Sequence, residues 1–98
     1  MKAILKRPGH QPELTEIGDS RDELTELLGG AYLITPALFG AMVFSRNEDH
    51  GLEYNCHFLS QYFYGPVLVA GRGEGDKPCD LPLHLHKILL MALREGKR

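Results

Sequence analysis

The stretch KAILKRPGHQPELTEIGDSRDELTELLGG, residues 2–30, reads as one supersecondary unit. Ala3 to Leu5 supply a short apolar strand, and Pro8-Gly9 is a turn pair, with proline presetting one φ and glycine free to take a positive one. The chain then folds back as a second strand through Glu13 and Glu16. Lys2, Lys6 and Arg7 lie across from these acids, so a solvated, self-neutralising hairpin is expected, worth a few tenths of a kcal/mol per pair (about 0.2–1). Ser20-Arg21-Asp22-Glu23 is a capping box that starts a helix with acids in its first turn. Leu24, Leu27 and Leu28 form its apolar stripe, and Gly29-Gly30 stop it. Two turns of helix are marginal in isolation, so the stripe must pack on a sheet.

Downstream, Ala31 to Leu38 and Ala41 to Ser45 are rich in strand formers and predict a second hairpin reversing at Phe39-Gly40. Its tip is apolar where turns are normally polar, so Phe39 is expected either under the rest of the chain or against a partner. Pro36 cannot donate to a ladder, which places this strand at a sheet edge or on a bulge. Arg46-Asn47-Glu48-Asp49-His50-Gly51 reads as a polar loop closed by a glycine suited to positive φ.

The opening Met1-Lys2-Ala3-Ile4-Leu5-Lys6-Arg7-Pro8-Gly9, the strand ending Glu16-Ile17 and the capped helix with Gly29-Gly30 stand in a distinctive order. They are followed by Asn47-Glu48-Asp49-His50-Gly51-Leu52 with Asn55, and by Gly65-Pro66-Val67-Leu68-Val69-Ala70-Gly71. This order resembles a small family of bacteria, phages and mobile elements, the 3846-type domain of unknown function. The resemblance covers most of the chain and departs between Cys56 and Tyr64. It implies a small α+β domain of accessory-gene origin and carries over no catalytic residue.

Tyr54, Phe58, Tyr62, Phe63 and Tyr64 are five of the eight aromatics, and the chain has no tryptophan. Such faces can stack on nucleobases at about 1–3 kcal/mol each, so Tyr54, Phe58 and Tyr62, with Arg46 and Arg72 for phosphate, are the candidate ligand-binding set. Tyr54, Phe58 and Tyr62 also recur at helical spacing, and packing in the core or in a subunit interface is the favoured expectation. Val67 to Ala70 is a continuous apolar run typical of a central strand.

Gly71-Arg72-Gly73-Glu74-Gly75-Asp76-Lys77-Pro78 has the glycines of a phosphate cradle but not its Gly-Lys-Ser/Thr, and Glu74 and Asp76 would repel phosphate. A flexible connection to a last helix is expected, with Asp80 as cap and Pro82 in the first turn. Cys79, His84 and His86 are metal-type ligands close in sequence, and Cys56-His57 could complete a set. On a helix, His84 and His86 would lie about 200° apart, so no metal site is assigned. Ser20, Ser45 and Ser60 have no nucleophile elbow, and neither cysteine carries a nucleophile motif, so no catalytic residue and no cofactor are expected.

In the last helix, Leu85, Ile88, Leu89 and Ala92 predict the core stripe. Leu90, Met91 and Leu93 spread apolarity further round, which makes them and Phe39 the candidate interface residues and a two-fold homodimer the expected assembly. Arg94, Lys97 and Arg98 suit the negative end of that helix.

With 98 residues, 43% hydrophobic and 24% charged, the chain fits one α+β domain over residues 1–98. The expected architecture is an antiparallel sheet of four to five strands with two helices, in the order ββα-βββ-α. A formal net charge of -2 gives no general attraction for nucleic acid or anionic membrane. The apolar run after Met1-Lys2 is too short for a signal-peptide core and no stretch could span a membrane, so a cytoplasmic location is expected. Two cysteines without a framework pattern are expected to be free thiols. The functional expectation is a non-catalytic accessory protein that binds a host protein; the alternative is a binder of a small nucleotide signal.

Overall fold

The computed structural model describes residues 1–47 and 51–95. The Glu48–His50 part of the polar loop and the terminal Lys97 and Arg98 lie outside the described residues.

The first unit forms as its turn and caps dictate. β1 (Lys2–Lys6) and β2 (Glu13–Glu16) pair antiparallel, with Lys2 opposite Glu16 and Leu5 opposite Glu13. At the turn, His10 N–H donates to Arg7 O at 3.0 Å and Gly9 takes φ 75°. α1 (Arg21–Leu28) begins where Glu23 N–H donates to Ser20 Oγ at 3.1 Å, and it ends at Gly29, φ 85°, whose N–H donates to Thr25 O at 2.9 Å. β3 (Tyr32–Pro36) and β4 (Ala41–Arg46) are joined by a 3-10 turn over Leu38–Gly40. After them come β5 (Tyr54–Phe58), β6 (Gln61–Tyr64), β7 (Val67–Arg72), β8 (Pro78–Cys79) and α2 (Leu83–Glu95).

The main sheet runs β2-β1-β7-β4-β3, entirely antiparallel, with β8 paired to the end of β7. β7 is central and β3 is an edge, as the apolar run and Pro36 respectively require. Ala3, Leu5, Met42, Phe44, Leu68 and Ala70 point to one face and pack on Leu24 and Leu28 of α1. Ile4, Val43, Val67 and Val69 point to the other, beneath Leu81, Leu85, Leu89 and Leu93 of the α2 segment and Cys56, Phe58 and Phe63 of β5–β6.

The elements themselves differ from the sequence reading in four places. The aromatic segment, which has no strand in the expected order, forms a separate β-hairpin, β5–β6. Its reversal at Leu59 and Ser60, φ 54° and 61°, has the two positive φ angles of a type I′ turn. Without glycine or asparagine, it carried no turn signal. The Gly71–Pro78 segment is not a loose connection but a tight turn onto β8, closed by Gly73 N–H donating to Lys77 O at 2.7 Å. A Cβ on Gly71 would meet Asp80 O at 2.3 Å, so only glycine permits that approach. Asp80 does not cap α2; its Oδ1 accepts from Lys2 N–H at 2.8 Å.

The fourth difference is the phase of α2. The buried positions are Leu81, Leu85, Leu89 and Leu93, one i, i+4 ridge anchored where Leu81 N–H donates to Lys2 O at 2.8 Å. Leu93, a candidate interface residue, is therefore core, while Ile88, expected in the core, is exposed. The anchor at Leu81 rotates the helix so that a ridge running through Leu89, and not one through Ile88, meets the sheet. Leu93→Ala should accordingly cost about 2–5 kcal/mol and Met91→Ala no more than about 0.5 kcal/mol in urea denaturation; equal costs would contradict this phase.

Candidate functional site

The sequence reading left Lys6 in solvent, yet it is fully buried. Alternation along β1 dictates this, because Lys6 shares the inward face of Ile4. Its Nζ donates to Asn55 Oδ1 and to Arg7 O, both at 2.9 Å. Asn55 Nδ2 donates in turn to Lys6 O and Gly65 O, both at 2.7 Å. This buried network ties the end of β1 to the start of β5 and the exit of β6, so it fixes the aromatic hairpin on the sheet. The solvated cation of the first turn is Arg7, 3.5 Å from Glu13.

With the hairpin fixed, its aromatics divide between two faces, Phe63 from Tyr62 and Tyr64 by strand alternation, and Tyr54 from Cys56 and Phe58 by the β-bulge between Tyr54 and Cys56. Cys56, Phe58 and Phe63 face the core. Tyr54, Tyr62 and Tyr64 cluster on the outer side, Tyr54 edge-on to Tyr64 at 5.7 Å, and Tyr62 stacks on His57 with ring centroids 4.6 Å apart. Phe58, expected among the ligand-binding residues, is therefore a core residue, because its side chain faces the sheet. A groove of about 300 Å³ runs between β6 and the β3 edge, lined by Leu33, Thr35, Arg46, Gln61, Tyr62 and Tyr64 among others.

The two candidate arginines do not converge. Arg46 reaches across Gly65 toward the C-terminal end of α1, where a Cβ on Gly30 would lie 3.0 Å from the guanidinium carbon. α1 has no basic residue in its own last turn, so this cation meets the negative end of its dipole. Arg72 lies at the other end of the sheet: Ala41 pairs with Gly71 and Ser45 with Val67, which puts Arg46 and Arg72 roughly 20 Å apart along the strands. Arg72 instead borders a small apolar hollow with Ile34, Pro36 and Met42.

The candidate interface residues are also separated in character. Phe39 is 71% exposed at the hairpin tip, Met91 is exposed, Leu90 is half-buried and Leu93 is buried. Sequence reasoning missed the surface of β3, where Leu33 is 52% and Ile34 49% exposed on opposite faces. The available signal was two adjacent apolar residues beside Pro36, a pattern that leaves one of them unburied on an edge.

Among the described residues no group of three His, Cys, Asp or Glu is placed to hold a metal ion, and no helix is long and apolar enough to cross a membrane. Cys79 is exposed and Cys56 buried. Burial pushes the Cys56 thiol above its ordinary value, with nearby Lys6 opposing the shift, so this thiol is kept protonated and poorly nucleophilic. Comparisons with protein families, curated proteins and solved structures find no match to this chain.

Asn55→Ala would strip partners from two carbonyls and from the Lys6 ammonium, and should cost at least about 3 kcal/mol in urea denaturation; a near-neutral change would remove the anchoring role. Cys79 should react promptly with a thiol reagent while Cys56 reacts only on unfolding. As pH rises past 9.0, the unfolded thiol ionises before the buried one, so this residue's contribution to stability falls. Stability should therefore drop more steeply between about pH 8.5 and 10 in the wild type than in Cys56→Ala.

Proposed function

We propose that this chain is a non-catalytic accessory protein, of the phage or mobile-element type its sequence resembles, that acts in the cytoplasm by binding a host protein. The observation that supports this reading is Phe39. A bulky aromatic stands at the apex of the β3–β4 hairpin with φ 56° and most of its surface in water. Both features are unfavourable for the isolated domain, the left-handed backbone alone by roughly 1–2 kcal/mol. A partner pocket that receives the ring offsets both, and buried aromatics are enriched among the residues that dominate binding energy.

A second reading, a nucleotide-type ligand in the groove between β6 and β3, draws on the exposed Tyr62 stacked on His57 and on Arg46 nearby. It is the weaker one. Phe58 is in the core, Arg72 is at the far end of the sheet, and the Arg46 guanidinium is engaged near α1, so aromatic and cationic groups do not converge on one ligand.

A photo-crosslinking amino acid placed at Phe39 should give one covalent adduct of defined mass in the host cytoplasm. The same group at Glu13 should give none. Phe39→Ser should abolish the adduct partner's binding at least tenfold while leaving the melting temperature unchanged. Saturable nucleotide-induced shifts of the His57 and Tyr62 ring resonances, with no adduct from position 39, would replace this reading with the ligand one.

A further inference from the structure

The two edges of the main sheet are built differently. β2 carries Glu13 and Glu16 and follows Pro12, features that discourage pairing with another strand. β3, Tyr32-Leu33-Ile34-Thr35-Pro36, holds no charged residue. Asn47 N–H donates to Ala31 O at 3.1 Å and Ala37 N–H to Ala41 O at 2.9 Å, so odd-numbered residues bond β4. By the antiparallel alternation, Tyr32, Ile34 and Pro36 turn their peptide groups outward. No described strand pairs with that outer edge.

We propose that β3 pairs antiparallel with β3 of a second copy about a two-fold axis through Leu33, joining the two sheets into one. The fit is self-complementary. In this register Tyr32 of each copy stands opposite Ile34 of the other, and the four outward N–H groups all find carbonyl acceptors. Pro36, which has no N–H to give, lies beyond the last bond. A register centred on Ile34 would instead put Pro36 opposite Tyr32 and leave the Tyr32 carbonyl without a donor.

Side chains favour the same alignment on both faces. On the α1 face, Ile34 meets Tyr32 of the second copy, an aromatic and β-branched pair of the kind that stabilises sheets. Tyr32 is already braced by Phe44 at 5.6 Å. On the α2 face the two Leu33 side chains meet at the axis, beside the groove lined by Thr35, Gln61 and Tyr62. No like charges oppose each other, whereas β2 paired with itself would bring glutamates together. A seam of five-residue strands falls below the roughly 1,200 Å² of a permanent interface, so the dimer should dissociate on dilution. The two Phe39 tips then point in opposite directions about 40 Å apart, which makes the assembly bivalent.

Leu33 occupies a non-hydrogen-bonded pair at the axis, with Cα atoms about 4.5 Å apart, inside the range a disulfide spans. In a Cys79→Ser background, Leu33→Cys should therefore oxidise to a covalent dimer at least tenfold faster than Ile34→Cys, Thr35→Cys or Met91→Cys. Sedimentation velocity should show a concentration-dependent dimer for the wild type. Leu33→Lys should be monomeric with an unchanged melting temperature, since the side chain is exposed. Ile34→Pro, which deletes an outward N–H together with the side chain that meets Tyr32, should weaken the dimer at least tenfold. Phe39→Ser should dimerise normally, which separates this proposal from host binding. A wild type that stays monomeric up to millimolar concentration, or faster cross-linking through Ile34, Thr35 or Met91, would overturn it.

Discussion

β7 constrains everything else. Val67, Leu68, Val69 and Ala70 are all buried, two facing each side of the sheet, so neither face can be left to water. A strand of this kind needs neighbours on both edges and a cover on both faces. β1 and β4 supply the edges. α1 covers one face with two leucines, and α2 together with the β5–β6 hairpin covers the other. Eight residues of α1 would not hold a helix alone, and its packing on Leu68 and Ala70 is what stabilises it.

The second cover is the less conventional one. A two-stranded hairpin is marginal by itself, and β5–β6 shares no ladder with the main sheet. It is held by the inward side chains Cys56, Phe58 and Phe63, and by Asn55, which satisfies backbone carbonyls on both Lys6 and Gly65. A buried ammonium at Lys6 is costly unless hydrogen-bonded. That cost also gives the arrangement its specificity, because sliding the hairpin by one residue would take Asn55 out of reach of Lys6. The outer aromatics are thereby presented in one fixed pose.

The apolar surface of the described residues is uneven. It falls mainly on β3 and its tip, with Leu33, Ile34 and Phe39, and on the outer side of α2, with Leu83, Ile88 and Met91, while the β2 edge sets Leu14 between Glu13 and Glu16. Exposed apolar residues scattered singly need no explanation, but an uncharged strand with an open edge and apolar residues exposed on both its faces invites pairing. The functional reading of this molecule therefore rests on its hairpin tip and open edge more than on any cavity.

Much of this fold was legible locally. Ser20 and Glu23 start α1, Gly29 ends it, Pro8-Gly9 turns the first hairpin and the Val67–Ala70 run marks the central strand; each acts through backbone geometry within a few residues, so sequence alone determines it. The candidate site was less legible. Tyr54, Phe58 and Tyr62 fit a helical period as well as a strand one, and Leu59-Ser60 adopt positive φ without the residues that usually announce it. Lys6 looked like a hairpin charge, yet its partner Asn55 lies 49 positions away, a separation that leaves no local trace. The phase of α2, the separation of Arg46 from Arg72 and the exposure of β3 were likewise decided only by tertiary structure, because each depends on which elements arrive to cover the sheet and where that cover stops.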